Sequence, residues 1–514
     1  MSNSDFEIDK CSFDENKASF GGAVYFGEYH KGILVTESSF TSNVADYGAA
    51  LYYTQFNSGV SVVDSVLQRN LAFEEGGALF VLVEDLMMVG TFLSGNAAST
   101  GGAVHSHVKS IVVSESVLVD NLGYPGSHGG MYVEDADFVE IVSTFFINNL
   151  AESGGAFTCR NCGLSVLSNC SFYSNSAVGY GGGSLQVTDS STVIATSSFV
   201  GNVASTDGGA IRAEGMINLT IADSIFESNR ATSGSGSAVW LSACPNVSLT
   251  GNNFEYNEAM LGGGTVFWEV HSGMSEPNDI SMDNYFEATN VALYGSGVAT
   301  DTYDLKLSSQ NNYYISDYSA YVPPIAVYVV DYYGEVVKSE SSYQVVAQLL
   351  SSAKCYDNTV GFVTGGFVKQ LSEGLSNFTE LLASCDPGYL MPVNLTCTLS
   401  EFTLLSTYFT LSFRDCVKGE YFGDSACIEC ESGTYSLTDP ATTSLDNLGQ
   451  QVCQPCPDGA VSCVGDTIVL EEGYWRISER ATTTLRCPHR DSCGGGAGTG
   501  DELCRAGYEG NNIV

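Results

Sequence analysis

Short apolar runs alternate with turn residues along the first 312 positions, and the alternation recurs about every 27 residues. Runs such as Ile33-Leu34-Val35 and Val193-Ile194-Ala195 contain strand-forming residues and are separated from one another by turn residues. No repeat keeps an apolar spacing of three to four residues long enough for a helix. A fixed period of this length predicts a solenoid in which each coil contains two or three short strands.

The repeat unit reads Ser-x-Phe-x-x-Asn-x-Ala, followed a few residues later by Gly-Gly-Ala. Stacked coils place equivalent residues above one another at the strand spacing, about 4.8 Å. We therefore predict an inner ladder of Phe or Leu, and an Asn ladder at a turn where Asn tolerates left-handed backbone. The Gly-Gly pair suits positive φ and close approach of the next coil. The predicted ladder residues are Phe13, Phe40, Phe146, Phe172, Phe199, Phe226 and Phe254, with Asn16, Asn43, Asn70, Asn96, Asn121, Asn149, Asn175, Asn202, Asn229 and Asn257.

Two further segments follow the repeats. Residues 321–414 contain about seven short strand patterns, which predict an immunoglobulin- or filamin-like β-sandwich. The Cys–Trp–Cys pattern of antibody domains is absent from this segment. Residues 415–514 are rich in Cys and Gly and look truncated. The predicted fold is thus all-β: a parallel β-helix of about eleven coils over residues 1–312, then a sandwich, then a small disulfide-rich module.

Nine of the 17 cysteines lie in the last hundred residues. Such crowding predicts a disulfide scaffold made in an oxidising compartment. The Cys-x-x-Cys pairs at 427/430 and 453/456 have zinc-ribbon-like spacing, so a four-thiolate zinc site is the alternative. The predicted disulfide cysteines are Cys416, Cys427, Cys430, Cys453, Cys456, Cys463, Cys487, Cys493 and Cys504. Asn-x-Ser/Thr sequons, which permit glycosylation, stand at Asn169, Asn218, Asn246, Asn377 and Asn394.

The chain is strongly acidic, with 59 acidic against 19 basic residues and a formal net charge of −40. This charge argues against nucleic acid, anionic lipid and pectin-like polyanions as partners. No apolar run approaches the roughly 18 residues of a membrane span. The chain starts in mid-repeat and stops within the cysteine-rich module. We therefore expect a piece of a longer protein.

Phe-x-x-Asn followed by Gly-Gly-Ala resembles the repeats of chlamydial polymorphic outer-membrane proteins. That resemblance implies a right-handed parallel β-helix of the pectin-lyase type and a surface adhesin. The C-terminal pattern, with Gly473-Tyr474-Trp475-Arg476, resembles ephrin-receptor-like and tumour-necrosis-factor-receptor-like modules. The order of segments resembles large surface proteins of algae and other protists. That resemblance implies an extracellular ectodomain of a membrane protein, with no membrane span in these residues and the anchor expected in the missing C-terminal part.

Many β-helix proteins are polysaccharide lyases or hydrolases, so an enzyme is an alternative for this chain. The paired-Asp and Gly-His-Gly motifs of pectinolytic hydrolases are absent from the sequence. Glu74-Glu75 and Asp135/Asp137 are carboxylate pairs of the kind that glycosidases use, but so acidic a chain forms such pairs by chance. His105 and His107 share one face of a predicted strand, but no third metal ligand is identifiable, so we expect surface histidines. We predict no catalytic residue, cofactor or metal.

The predicted function is non-catalytic adhesion or ligand recognition at a cell surface, with a glycan or a protein as the partner. A secreted polysaccharide lyase or hydrolase is the first alternative, and a structural spacer of a wall or coat is the second. Because the repeated Phe, Asn and Gly residues explain the fold, any recognition is expected to use the variable residues between them.

Overall fold

The computed structural model describes residues 6–278, 280, 283–308, 311–315, 319–349, 362–399, 404–423, 426–438 and 453–509. Its contacts divide the chain into two compact units. The first comprises Met1–Asp304 and Val329–Ser341, and the second comprises Leu305–Tyr328 and Ser342–Val514. Helical structure in the described residues is limited to short 3₁₀ turns at Val270–Ser272, Arg490–Ser492 and Gly500–Leu503.

The first unit is a solenoid of three parallel sheets. Sheet 1 contains Phe6–Asp9, Val24–Phe26, Lys31–Thr36, Leu51–Val63, Leu79–Val89, Val104–Ser114, Met131–Glu134, Phe138–Val142, Phe157–Arg160, Leu164–Ser168, Leu185–Thr188, Ser191–Ala195, Ile211–Glu214, Asn218–Ala222, Val239–Ser242, Val247–Thr250, Val266–Trp268 and Val298–Thr300. Sheet 2 contains Ser12–Asp14, Ser39–Thr41, Val66–Gln68, Phe92–Ser94, Val117–Val119, Phe145–Ile147, Ser171–Tyr173, Ser198–Val200, Ile225–Glu227, Asn253–Glu255 and Tyr285–Phe286. Sheet 3 contains Val44–Tyr47, Leu71–Glu75, Ala97–Ala98, Leu122–His128, Leu150–Ser153, Ser176–Ala177, Val203–Ala204, Arg230–Ala231, Glu258–Gly263 and Val291–Tyr294.

The predicted parallel β-helix is therefore confirmed, and its sheet 2 has one strand in each of eleven successive coils. The strand register accounts for the period, because each strand pairs with the equivalent strand one repeat further along the chain. Phe172, for example, pairs with Phe146 before it and Phe199 after it. The right-handed pectin-lyase form stays a prediction from the resemblance.

The core of the solenoid contains a ladder of stacked rings along sheet 2. Phe146, Phe172 and Phe199 are fully buried, and their ring centroids lie 4.9 and 4.7 Å apart. The stack continues on through Phe226 and Phe254, with centroid separations of 4.8 and 4.9 Å. Leu67, Leu93 and Leu118 fill the same position in three coils and are equally buried. The first member of the row, Phe13, is half-buried and stacks on Phe40 at 4.9 Å.

The Asn residues form a continuous amide ladder one turn away from these rings. In each coil the side-chain oxygen accepts two hydrogen bonds from the Asn of the preceding coil, one from its backbone N–H and one from its side-chain amide. Asn149 Oδ1, for example, accepts at 3.1 and 3.0 Å from Asn121. Asn149 Nδ2 donates to the Leu118 carbonyl and to Asn175 Oδ1, both at 3.0 Å. Every polar atom of the buried amide is thus satisfied.

The turn chemistry of this ladder differs from the prediction. Left-handed backbone occurs at the residue before each ladder Asn and not at the Asn itself, as at Asp120 (φ 55°) and Ser174 (φ 52°). The exposed preceding residue makes the tight turn, so the Asn keeps its side chain directed inward. Asn is therefore required at these positions for its amide and not for its tolerance of positive φ.

A second inner ladder, which the sequence analysis missed, lies five residues before each Asn. Ser197 Oγ accepts from the Cys170 N–H at 3.1 Å and donates to the Ala195 carbonyl at 2.9 Å. The next coil repeats the arrangement, since Ser224 Oγ accepts from the Ser197 N–H. The Ser of the Ser-x-Phe pattern is this ladder position, as at Ser38, which stands two residues before Phe40 and is buried. The ladder positions are Cys11, Ser38, Ser65, Thr91, Ser116, Thr144, Cys170, Ser197, Ser224, Asn252 and Asn284.

The Gly-Gly pair turns the chain from sheet 3 into sheet 1. Gly76 has φ 65°, and a Cβ on Gly77 would collide with the backbone carbonyl of Gly102 in the next coil. Ala78 follows and is fully buried. The pair therefore allows adjacent coils to approach closely at this corner.

The segment Val329–Ser341 packs with the last coils, although it lies in the region predicted as a sandwich. Asp331 is buried, and its carboxylate accepts hydrogen bonds from the backbone N–H groups of Thr300 (3.3 Å) and Glu335 (2.8 Å). Trp268 Nε1 donates to the Tyr333 hydroxyl at 3.2 Å. This loop thus completes the end of the solenoid unit.

The second unit consists of small sheets of three, five and three strands followed by four two-stranded hairpins. The immunoglobulin-like assignment stays a prediction. The strands before the hairpins are Asp304–Leu307, Asn312–Ile315, Ser319–Tyr321, Ile325–Val330, Gln344–Leu349, Phe362–Thr364, Val368–Gln370, Leu375–Phe378, Leu382–Ser384, Leu390–Thr398 and Leu404–Phe413. The hairpin strands are Glu420–Gly423, Ala426–Glu429, Thr434–Tyr435, Gln454–Pro455, Ala460–Val464, Thr467–Leu470, Tyr474–Trp475 and Leu485–Arg486.

Replacing a central ladder amide should destabilise the solenoid strongly. Asn149→Ala leaves the buried N–H of Asn121 without an acceptor and the Leu118 carbonyl without its side-chain donor. We expect the free energy of unfolding to fall by about 3 kcal/mol or more, since each buried unsatisfied group costs about 1–3 kcal/mol. Denaturant-dependent hydrogen exchange of solenoid peptides measures the change.

Asn16→Ala is the matched control, because Asn16 is exposed and its side chain makes one ladder bond, to Asn43. We expect this variant to lose no more than about 1 kcal/mol. Equal losses in the two variants would contradict the role assigned to the buried ladder.

Candidate ligand-binding face and histidine cluster

A row of aromatic and imidazole rings covers part of the outer face of the solenoid. The register of sheet 1 aligns outward positions of successive coils, and sheet 3 aligns a second column where its strands end beside sheet 1. Ring-bearing residues occupy the sheet 1 column in each of the first five coils and the sheet 3 column in the first, second and fifth, with Glu75 and Thr100 between them. We call this set the outer aromatic row: Tyr25, Tyr52, Phe80, His105 and Tyr132 from sheet 1, with Phe20, Tyr47 and His128 from the sheet 3 side.

The rings of the outer aromatic row contact one another continuously. Tyr52 stacks between Tyr25 and Phe80, with centroid separations of 5.5 and 5.0 Å and interplanar angles of 12° and 11°. Phe80 then meets His105 edge-on at 5.2 Å, and His105 meets Tyr132 edge-on at 5.0 Å. Offset stacks and edge contacts of this kind favour a rigid arrangement.

Exposure falls along the row. Tyr25 is 54% exposed, Tyr47 and Tyr52 are half-buried, and Phe80 and Tyr132 are buried although their side chains leave the outer face of the sheet. The sheet 3 column packs against the sheet 1 column here, since Tyr47 meets Phe80 edge-on at 5.7 Å. The row therefore has an exposed part at Tyr25 and a buried, deep part that begins at Phe80.

His105 occupies the deep part, which corrects the expectation of surface histidines. It is only 4% exposed, and neither ring nitrogen has a hydrogen-bond partner among the residues that the structure describes. Burial, followed by the nearby imidazoles of His107 and His128, lowers the pKa of His105 to about 3. Its ring is therefore neutral near pH 7, so the 3.3 Å contact between His105 Nδ1 and Glu75 Oε2 is not an ion pair.

His107 lies two residues further along the same strand and on the same face. Its Nε2 lies 3.4 Å from Glu134 Oε2, and its Nδ1 lies 3.9 Å from Asp135 Oδ2. Arg160 Nη1 lies 3.8 Å from the other oxygen of Glu134. The sequence analysis did not identify Glu134. The repeat itself pointed to this residue, because Glu134 stands 27 residues after His107 and pairs with His107 in register.

Burial also shifts the pKa values of other groups around His105. The pKa of Glu75 is raised, chiefly by burial and then by the neighbouring carboxylates, although His107 opposes the shift. The pKa of His128 is lowered to about 4, first by burial and then by Arg160. His128 stacks on Tyr132 at 4.1 Å.

Three donor groups of this cluster are close enough to share an ion. His105, His107 and Glu134 each offer a ligand atom, and these atoms lie within 4.8 Å of one another. Two carboxylates that the sequence analysis treated as members of chance pairs, Glu75 and Asp135, lie beside the two imidazoles. Their pair partners, Glu74 and Asp137, are exposed.

Disulfide bonds are present in the C-terminal module, as predicted. The bridges join Cys416 to Cys427, Cys430 to Cys453, Cys456 to Cys463 and Cys487 to Cys493. The two Cys-x-x-Cys pairs are therefore divided among separate bridges and do not gather around a zinc ion. Cys504 has no disulfide partner within the described part of the chain. In the solenoid, Cys159 and Cys162 form a further buried bridge.

The sequon asparagines differ in accessibility. Asn169, Asn218 and Asn246 are exposed on the solenoid, and Asn377 is exposed in the second unit. Asn394 is half-buried in the strand Leu390–Thr398. Glycosylation stays a prediction for all five.

Comparison with known proteins supports the resemblance of the repeats. Residues 196–214 match the family model described as the Chlamydia polymorphic membrane protein (Chlamydia_PMP) repeat. They span the sheet 2 strand Ser198–Val200, Asn202, the Gly208-Gly209 turn and the sheet 1 strand Ile211–Glu214. No curated protein and no solved structure matches the chain.

A solenoid of such repeats fits a surface or secreted protein, because the repeat family comes from outer-membrane surface proteins. The disulfide bonds agree with an extracellular location. Among the residues that the structure describes, no helix has the length and apolar character needed to cross a membrane.

His105→Phe should stabilise the solenoid in the presence of a chelator. The substitution removes two unpartnered buried nitrogens and places a ring between Phe80 and Tyr132. We expect the free energy of unfolding to rise by about 1 kcal/mol, since an unsatisfied buried group costs about 1–3 kcal/mol and a larger ring offsets part of the gain. Denaturant-dependent hydrogen exchange measures the change.

His107→Ala serves as the control because its side chain is 37% exposed, and we expect a change within about 0.5 kcal/mol. A loss of stability in His105→Phe would instead show that the fold needs the imidazole.

Proposed function

We propose that this chain belongs to a secreted or cell-surface protein whose solenoid recognises a partner protein through the outer aromatic row. The observation that carries the proposal is the continuous ring contact on an outer face, where the fold itself does not need aromatic residues. The fold needs Phe or Leu inside, as at Phe172, and places no such demand on Tyr47 or Tyr52. These are variable positions of the repeat, where recognition is expected.

The geometry of the rings favours a protein over a glycan. Both faces of Tyr52 are covered, by Tyr25 and by Phe80, so its edge and its hydroxyl are what a partner can contact. A sugar that stacks on a ring face finds these faces occupied. Tyrosine edges combine apolar contact with a hydrogen-bonding hydroxyl, and Tyr is enriched at protein interfaces for that reason.

Electrostatics adds a requirement for the partner. With a net charge of −40 the chain repels acidic surfaces and attracts basic ones, mainly through the rate of encounter. A partner protein with a basic contact surface therefore suits the row. Adhesion to an acidic polysaccharide does not.

A double variant tests this function. Tyr47→Ala with Tyr52→Ala removes the central half-buried rings of the row and leaves the inner ladders intact. We expect its affinity for cells of the source organism to fall about tenfold or more, because truncating an interface hot spot costs roughly 2 kcal/mol of binding free energy. Flow cytometry with labelled protein measures the change. Protease treatment of the cells should abolish wild-type binding.

Tyr173→Ala is the matched control, since Tyr173 is 47% exposed on sheet 2, away from the row, and this variant should bind normally. Equal binding by the double variant would contradict the role of the row. Binding that survives protease but is lost after glycosidase treatment would identify a glycan partner. Turnover of a polysaccharide panel would favour the enzyme alternative.

A further inference from the structure

The histidine cluster on the outer face has an arrangement that the proposed function does not require. His105 and His107 project from one strand, and Glu134 projects from the strand paired with it in the next coil. We propose that His105, His107 and Glu134 form a binding site for a divalent transition-metal ion of the zinc class. The site stands on its own geometry, so its test does not depend on the partner proposed above.

The spacing of the donors suits such an ion after small side-chain adjustments. Zinc bonds of about 2.0–2.1 Å at tetrahedral angles place ligand atoms roughly 3.4 Å apart. His107 Nε2 and Glu134 Oε2 already lie 3.4 Å apart, and all three ligand atoms lie within 4.8 Å of one another. Glu134 has a long, partly exposed side chain, so its rotation can bring the carboxylate closer to His105.

The state of His105 is the independent observation that points to a ligand. Its side chain is more than nine-tenths buried, and neither ring nitrogen makes a hydrogen bond to any residue that the structure describes. One ligand atom of the ring lies within 4.8 Å of the other two donors. Buried polar groups are nearly always paired in folded proteins. Phe80 and Tyr132 show that this column accepts aromatic residues without nitrogen atoms, so packing alone does not explain an imidazole here.

Charges and neighbours around the cluster suit a cation. Three carboxylates, Glu75, Glu134 and Asp135, lie near the imidazoles, against one arginine, Arg160. Glu75 Oε2 lies 3.3 Å from His105 Nδ1, the position in which a carboxylate orients a metal-binding imidazole. Arg160 Nη1 lies 3.8 Å from Oε1 of Glu134, whereas Oε2 of the same carboxylate lies 3.4 Å from His107 Nε2.

The donor set determines the class of metal. Two imidazoles with one carboxylate suit zinc and its neighbours in the first transition row, whereas calcium and magnesium take oxygen ligands. Three protein donors leave a fourth position for water or for an oxygen atom of a bound ligand. The site therefore belongs to the open type, located at the deep end of the outer aromatic row.

Zinc titration of the chelator-treated full chain tests the proposal. Isothermal titration calorimetry should show that the wild type binds one equivalent of zinc. His107→Ala and Glu134→Gln should each weaken the zinc affinity by about 100-fold or more, because loss of an outer-shell partner alone costs 10–100-fold in affinity. Glu75→Gln should weaken binding by about 10–100-fold. Both ligand variants alter partly exposed side chains, and their circular dichroism spectra should match the wild type.

His30→Ala is the matched control, since His30 is another half-buried histidine of the solenoid and should leave zinc binding unchanged. Cobalt substitution adds a spectroscopic readout, because visible absorption of the bound Co²⁺ should disappear in His107→Ala and persist in His30→Ala. Absence of zinc binding by the wild type would overturn the proposal. So would binding that is equal in the wild type, His107→Ala and Glu134→Gln, which would place the ion elsewhere, for example at a free thiol.

Discussion

The hydrogen bond between the amides of successive ladder asparagines is the interaction on which the rest of the solenoid depends. Each amide accepts twice from the coil before it and donates to that coil's backbone and to the next Asn, as Asn175 and Asn202 show. A coil that slipped by one residue would bury these donors and acceptors unpaired, at several kcal/mol per coil. The register is therefore specified by buried polar groups, and the stacked rings fill the space that it defines.

Once the register is set, equivalent positions of all coils form columns, and the outer face follows from the variable residues. The same rule that stacks Phe172 on Phe199 places Tyr132 beside His105 and Glu134 beside His107. The inner columns are uniform because they hold the fold together. The outer columns change from tyrosine to histidine to charged residues within a few coils, so local chemistry varies along one continuous surface.

The period alone predicts the parallel solenoid, the inner Phe ladder and the Asn ladder, because these depend on repeated residues. The backbone conformation of the turns does not follow from the period and is known only from the three-dimensional structure. The hydrogen-bonding role of the repeat's Ser, at Ser38 and Ser197, was missed because this column is less uniform than the Phe and Asn columns, with Thr91, Cys170 and Asn252 in other coils. Glu134 stands one repeat after His107, so the two become neighbours only when the register of the coils is known. The burial of His105 follows from the packing of the sheet 3 column against the sheet 1 column, which no local pattern encodes.

Amide hydrogen exchange of the wild-type chain is the most direct test of the central claim. The account predicts that backbone N–H groups of the ladder asparagines, such as Asn121 and Asn149, exchange as slowly as those of the central strands, although they lie at turns. The exposed residue before each of them, such as Asn148, provides the comparison, since its N–H bonds to the next coil without a buried side-chain acceptor. Fast exchange at the ladder asparagines, at the rate of ordinary surface turns, would contradict the account.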